Sequence, residues 1–148
     1  MHTTPTTAPL RIVDSITELS ALDAGSVAVS GSHGGLSSAR YALAARPLLS
    51  VFNDAGVGRD AAGIAALDFL QQHGLAACTV AHTSACIGQA RSSYDDGVVS
   101  YVNPLAAALG VRVGERLEPQ LQTLLQMRQQ GQLQTRPSAR GNGPLAKG

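Results

Sequence analysis

The amino-acid sequence predicts an α/β fold, namely a single three-layer domain with a mostly parallel sheet of four or five strands and helices on both faces. Three observations support this class. Short apolar runs alternate along the chain with segments of helical periodicity, which is typical of βαβ units. The apolar runs do not alternate with polar residues, as expected for strands that are buried on both faces of a parallel sheet. The length of 148 residues suffices for one domain with its own core.

Apolar composition and polar C-terminal ends indicate three buried strands, in the segments 26–30 (SVAVS), 48–54 (LLSVFND) and 75–84 (LAACTVAHTS). A fourth segment, 10–13 (LRIV), predicts a short edge strand. Residues 98–103 predict either the start of a helix or a short strand that a helix follows at Pro104, because proline fits the first helical turn. Residues 111–117 (VRVGERL) are consistent with a last strand.

The first helical segment covers residues 15–24. Its apolar side chains recur at helical spacing, Asp14 or Ser15 can serve as the N-cap, and Gly25 ends the helix. This segment connects the edge strand to the first buried strand.

Two further helices follow the buried strands. Residues 37–45 (SSARYALAA) predict an alanine-rich helix with Ser37 or Ser38 as its N-cap. The next helix begins at Asp60 and ends at Gly74.

A last helix is predicted over residues 118–130, and we expect it to pack on the domain or on a partner subunit. We expect a flexible arm over residues 1–9, a single domain over 10–130 and a disordered tail over 131–148, because the two ends are rich in Thr, Pro, Gly, Gln and Arg.

Composition and charge exclude several classes of protein. Hydrophobic residues make up 44% of the chain and charged residues 14%, with a net charge of +1, and such a low charge content favours a homo-oligomer. No lysine precedes Lys147 and the arginines are scattered, so nucleic-acid binding is not predicted.

The N-terminus lacks a secretory signal, and no apolar run is long enough to span a membrane. Cys78 and Cys86 lack the spacing of a zinc site, which favours free thiols and a cytoplasmic location.

Polar and glycine-containing segments follow all three buried strands. They are 30–35 (SGSHGG), 53–58 (NDAGVG) and 81–88 (AHTSACIG). Because the carboxyl ends of parallel strands meet at one edge of a sheet, these segments predict a shared ligand pocket there.

The candidate catalytic residues come from all three segments. His33, Asp54 and His82 form a set that is suited to proton transfer or to metal ligation. For Asp54 the alternative is an Asx-turn, in which the side chain accepts a nearby backbone N–H. Cys86 near His82 is a candidate nucleophile, although a small buried residue after a strand is the alternative interpretation. Asp95 or Asp96 either caps the following helix or reaches the site.

Glycines, hydroxyls and short polar side chains around these groups are the candidate substrate-binding residues: Ser32, Gly34, Gly35, Ser37, Asn53, Gly56, Asp60 and Ser84. The glycine N–H groups would stabilise developing negative charge on a substrate. For Asp60 the alternative is simple helix capping. For Gly34, Gly35 and Ser37 the alternative is a tight turn in which glycines supply positive φ and the serine caps the next helix.

These residues predict a small cytoplasmic enzyme that acts on a small polar or anionic metabolite by hydrolysis, elimination or isomerisation. The alternative is a non-catalytic metabolite-binding module, or an accessory subunit that completes the site of a partner. An enzyme predicts that His33 lies within about 3–5 Å of Asp54 or His82, directly or through one water or metal. A binding module predicts an intact nest of backbone N–H groups, with the imidazoles dispersed or committed to core hydrogen bonds. The sequence identifies no cofactor, and a metal-assisted version of the reaction stays open.

Overall fold

A computed structural model of the protein describes residues 9–131, apart from the side chains of Arg59 and Asp60. The strands in this range are β1 (Leu10–Val13), β2 (Val27–His33), β3 (Leu49–Asn53), β4 (Ala76–Val80) and β5 (Val99–Val102). The α-helices are α1 (Leu36–Ala45), α2 (Ala65–Gln72), α3 (Ala90–Asp96), α4 (Pro104–Ala108) and α5 (Leu117–Gln129). Short 3-10 helices occur at Ile16–Glu18, Ala21–Asp23 and Arg59–Ile64.

The strands form one sheet in the order β1-β2-β3-β4-β5. The first four strands are parallel, and β5 runs antiparallel to β4. The mostly parallel α/β fold that the sequence predicts is therefore confirmed.

Alternate strand residues belong to two separate hydrophobic cores, one on each face of the sheet. Val51 packs with residues of α3 and α5, which defines the α3/α5 face. Its neighbour Phe52 packs with buried alanines and leucines of α1 and α2, which defines the α1/α2 face. Phe52 is completely buried, and burial of such a side chain contributes about 1.5–3 kcal/mol to stability. Helices thus cover both faces, and the domain has three layers.

The segment after β1 differs from its prediction. A helix over residues 15–24 is wrong, because the chain forms two 3-10 turns there. Ser15 and Ser20 each form a capping box, so a new turn begins at Ser20 before the first can extend.

Four other local predictions also need correction. The helix predicted from Asp60 to Gly74 is an α-helix only over Ala65–Gln72, because the chain forms a 3-10 helix over Arg59–Ile64. Gly35, not Ser37 or Ser38, is the N-cap of α1. Residues 111–117 do not form a strand, because α5 already begins at Leu117 and the segment makes one isolated bridge, between Val98 and Arg116. Helix α3 lies in a segment for which no helix was predicted.

The predicted arm and tail lie outside the described residues, except for Pro9 and Gly131 at their inner ends. No helix in the described part of the chain combines the length and the apolar character that crossing a bilayer requires.

Candidate functional site

The connections after β3 and β4 leave the sheet on opposite faces. The chain after β3 continues into α2 on the α1/α2 face, whereas the chain after β4 continues into α3, whose Tyr94 packs on the α3/α5 face. In open α/β sheets a crevice forms outside the carboxyl ends of two strands whose connections diverge in this way.

A pocket of about 470 Å³ lies at this crevice and is open to solvent. Most of its wall comes from the loop between β4 and α3. The polar lining residues are His82, Thr83, Ser84, Cys86, Ser92 and Asp96, and the apolar ones are Ala55, Ala85 and Ile87. A pocket of this size suits a small metabolite.

Asp54 and His82 meet beside this pocket. Asp54 directly follows β3 and is buried, with an exposed fraction of 5%. Its Oδ1 accepts the backbone N–H of Gly56 at 2.8 Å and that of His82 at 3.1 Å, and it lies 3.3 Å from His82 Nδ1. The His82 side chain is 54% exposed. One ring nitrogen therefore contacts a buried carboxylate while the ring itself borders the pocket.

The pKa of Asp54 lies below its ordinary value of 3.8. Burial on its own raises this pKa, but hydrogen bonds from the Gly56 N–H, the Ser100 hydroxyl and the N–H and ring of His82 together outweigh burial. The Ser100 hydroxyl is 2.8 Å from the Thr79 hydroxyl, so Thr79 can donate to Ser100 while Ser100 donates to Asp54. Asp54 is therefore an anion at neutral pH.

The backbone after β3 bends sharply to place the Gly56 N–H on Asp54. Residues Ala55, Gly56 and Val57 have φ values of 52°, 77° and 70°. For the two non-glycine residues this conformation costs on the order of 1–2 kcal/mol each. A Cβ atom on Gly63 would lie 2.0 Å from the Asp54 carbonyl oxygen, so the loop folds back onto Asp54 with no room for a side chain.

Cys86 lines the same pocket as His82 and is exposed. Its backbone N–H donates to Ser92 Oγ at 3.0 Å, which fixes this end of the loop to α3. The alternative interpretation of Cys86 as a buried packing residue therefore does not fit its surroundings.

Asn53 and Ser84 hold the two loops of the site through their side chains. Asn53 is completely buried, donates to the Ala85 carbonyl at 3.1 Å and accepts the Ala55 N–H at 2.8 Å. Ser84 Oγ accepts the Val98 N–H at 2.9 Å. Substrate binding by Asn53 and Ser84 stays a prediction, and the contacts that they make are those of positioning residues.

Gly31 allows the loop between β4 and α3 to cross β2 closely. The Gly31 N–H donates to the Asp14 carbonyl at 3.0 Å, and the Gly31 carbonyl accepts the Gly88 N–H at 2.7 Å. A Cβ atom on Gly31 would lie 2.5 Å from the backbone nitrogen of Gln89. The Asp14 side chain accepts the Ala90 N–H at 2.9 Å and so completes this crossing.

The segment 30–35, which contains the end of β2, does not line this pocket. His33 is exposed, and its Nδ1 accepts the Gly35 N–H at 3.0 Å. Ser32 Oγ accepts the Ile16 N–H at 2.9 Å, and Ser37 is exposed on the first turn of α1. The three predicted segments thus lie along one edge of the sheet, but the pocket belongs to the second and third. Among the described residues His33 forms no hydrogen bond or ion pair with Asp54 or His82, so the contact that the enzyme interpretation predicts is made by Asp54 and His82 without His33.

The expected oxyanion site of glycine N–H groups is not preformed. The Gly34 N–H donates to the Asn53 carbonyl of β3 at 3.0 Å, and the Gly35 N–H donates to His33 Nδ1 at 3.0 Å. The Gly56 N–H donates to the Asp54 carboxylate at 2.8 Å. An anion could reach these N–H groups only by displacing such a bond. Asp60 lies in the 3-10 helix after β3, whose N-cap is Gly58, so it does not occupy the capping position.

Among the described residues, no three His, Cys, Asp or Glu side chains are close enough together to hold a metal ion. A metal-assisted reaction with His33, Asp54 and His82 as ligands therefore has no preformed site in this part of the chain.

Thr83, Ile87 and Ser100 contribute to the site without having been predicted. Thr83 lies between the candidates His82 and Ser84, and Ile87 follows Cys86, so their position in the segment 81–88 is the signal that the sequence offers. Ser100 reaches Asp54 because β5 pairs antiparallel with β4 in a register that the sequence alone does not determine.

Comparison with protein-family models, with curated proteins and with solved structures gave no match.

Proposed function

We propose that the protein is an enzyme that acts on a small polar metabolite by general acid–base catalysis at His82. The observation that supports it is the buried, ionised Asp54 at 3.3 Å from Nδ1 of a half-exposed, pocket-lining histidine. Functional sites commonly combine a solvent-accessible imidazole with a buried carboxylate that orients it. Hydrolysis, elimination and isomerisation all need such a group.

The ionised carboxylate of Asp54 determines which ring nitrogen of His82 carries the proton. With a negative oxygen beside Nδ1, neutral His82 keeps its proton on Nδ1 and leaves the lone pair of Nε2 free. Nε2 can then take a proton from the substrate or from water, and Asp54 stabilises the resulting imidazolium. Return of that proton to a leaving group or to a neighbouring carbon completes the cycle. General acid–base catalysis of this kind contributes about 10²–10⁴-fold in rate.

The charges around the pocket favour a neutral or positively charged substrate over an anion. Among its described lining residues Asp96 is the one with a fixed charge, and neither Lys nor Arg is present. We therefore replace the expected polar or anionic metabolite with a neutral polar metabolite or an amine.

The test is a turnover measurement on a mixture of small neutral and cationic metabolites, followed by proton NMR. We expect His82→Gln to lower the rate by about 100-fold or more. His73→Gln is the matched control, because His73 lies at the exposed C-terminal end of α2 with Nδ1 2.9 Å from the Phe69 carbonyl. Equal rates in wild type and His82→Gln would overturn the proposal, and saturable binding without turnover would favour the non-catalytic module.

We also propose that the protein is a cytoplasmic homo-oligomer that does not bind nucleic acid. A homo-oligomer is supported by the low charge content and by the exposure of Ile87 and Val113, at 51% and 54%. Light scattering that gives the mass of one chain would contradict it. The absence of nucleic-acid binding and a cytoplasmic location are supported by scattered arginines and free thiols, and gel-shift and fractionation measurements test them.

A further inference from the structure

An exposed thiol lies in the same pocket as the acid–base pair. Cys86 and His82 both line the cavity of about 470 Å³, and His82 is held by Asp54. We propose that Cys86 is the nucleophile of this site and that the substrates are small acyl compounds, namely esters, thioesters or amides without a negative charge. This inference rests on the proposed function, because it requires His82 as the base.

The two cysteines of the chain differ in their access to a substrate. Cys86 is exposed. Cys78 lies in the middle of β4 and is completely buried, and burial raises its pKa to about 12. Since the thiolate is the reactive form of cysteine, Cys78 is an unreactive internal reference for Cys86.

A tight turn separates His82 from Cys86. The N–H groups of Ser84 and Ala85 both donate to the Ala81 carbonyl, at 2.9 Å and 3.2 Å, so the chain reverses within the loop. The hydrogen bond from the Cys86 N–H to the Ser92 hydroxyl of α3 then fixes the end of this turn. The backbone that carries His82 and Cys86 is thus held by hydrogen bonds at this turn.

Two further backbone N–H groups of this loop belong to residues that line the pocket. Within the described residues the N–H groups of Thr83 and Ile87 donate no hydrogen bond, and both residues line the pocket. The N–H groups of Gly34, Gly35 and Gly56, in contrast, all donate to acceptors within the protein. Free N–H groups beside a nucleophile can stabilise the negative oxygen of a tetrahedral intermediate.

The reaction proceeds in two balanced steps. The Cys86 thiol gives its proton to His82 Nε2, its sulfur bonds to the acyl carbon, and the carbonyl electron pair moves onto oxygen. As the carbonyl re-forms, the bond to the leaving group breaks, and the leaving group takes the proton from His82. Water then attacks the thioester with loss of a proton to His82, the sulfur–carbon bond breaks, and the thiolate recovers that proton.

The probe for this step is p-nitrophenyl acetate, an activated neutral ester. We expect release of p-nitrophenolate with transfer of one acetyl group to the Cys86 peptide, and none to the Cys78 peptide, by mass spectrometry after digestion. Cys86→Ala should remove this acetylation, and His82→Gln should slow it about 100-fold, whereas His73→Gln should leave it unchanged. Thermal unfolding of each variant checks that the exposed substitutions leave the fold intact.

The outcomes separate the two proposals. Turnover that depends on His82 but persists in Cys86→Ala overturns the nucleophile and leaves acid–base catalysis standing. Acetylation of Cys86 at the same rate in His82→Gln overturns the role of His82 as its base. An acetyl group found on another residue, with Cys86 unmodified, also overturns the nucleophile.

Discussion

Replacement of Asp54 by asparagine measures how much stability comes from a buried charge. Asparagine keeps an acceptor oxygen for the N–H groups of Gly56 and His82 but removes the negative charge. Hydrogen bonds to a charged acceptor are worth about 1 kcal/mol more than those to a neutral one, and Asp54 Oδ1 accepts two backbone N–H groups. We therefore expect Asp54→Asn to lower the free energy of unfolding by about 2 kcal/mol at neutral pH.

This loss must depend on pH in one direction. The folded-state pKa of Asp54 lies below 3.8, so its ionised form stabilises the folded state above that pH. The contribution disappears as the pH falls through the folded-state pKa, because both states are then protonated. In urea unfolding the gap between wild type and variant should thus be full at about pH 7 and shrink below about pH 4.

A control substitution makes this measurement decisive. Asp68 is an exposed carboxylate on α2 whose one side-chain contact is with Gln72 Nε2 at 3.4 Å, so Asp68→Asn should change stability by less than about 0.5 kcal/mol. The reasoning is refuted if Asp54→Asn costs no more than Asp68→Asn, or if its cost is the same at both ends of the pH range.

Three further substitutions test the scaffold by urea or thermal unfolding. Gly31→Ala should cost about 2–3 kcal/mol, because its Cβ would lie 2.5 Å from the Gln89 backbone nitrogen; wild-type stability would show that the loop can move away. Asn103→Ala should cost about 3–5 kcal/mol, because the buried amide makes four hydrogen bonds to backbone groups; a loss below about 1 kcal/mol would contradict this anchoring role. Arg46→Gly should raise stability by about 1 kcal/mol, because Arg46 ends α1 with a φ of 54°; any loss would argue against backbone strain there.

The central strands could be predicted because a continuous apolar run is enough to identify a strand that is buried on both faces. The predicted edge strand has the same bounds as β1, Leu10–Val13. Segment 26–30 extended further than predicted, since β2 runs to His33 through residues that locally favour a turn. Pairing of His33 with Asn53 of β3, across a register shift, overrides that local preference.

Helix α3 could not be predicted from periodicity. Its sequence, ARSSYDD, buries only Ala90, Ser93 and Tyr94, so two of its three buried side chains are small or polar. Apolar spacing, which predicts the other helices, is therefore weak in this segment.

The candidate site could likewise be predicted only in part. Asp54 and His82 could be brought together from the sequence because β3 and β4 are neighbours and both residues follow the ends of these strands. The direction of the His33 ring could not be predicted, because a loop side chain takes whichever local partner it finds, here the Gly35 N–H. Ser100 depends on the register of an antiparallel strand and needed the tertiary structure.

The protonation pattern of the His82 ring tests the central claim most directly. In long-range ¹H–¹⁵N NMR spectra of the neutral form, the contact with Asp54 predicts that His82 has its proton on Nδ1 and an unprotonated Nε2. His33 gives the opposite pattern in the same spectrum, because its Nδ1 accepts the Gly35 N–H. A proton on Nε2 of neutral His82 would mean that Asp54 does not orient the ring, and would contradict the acid–base mechanism proposed for it.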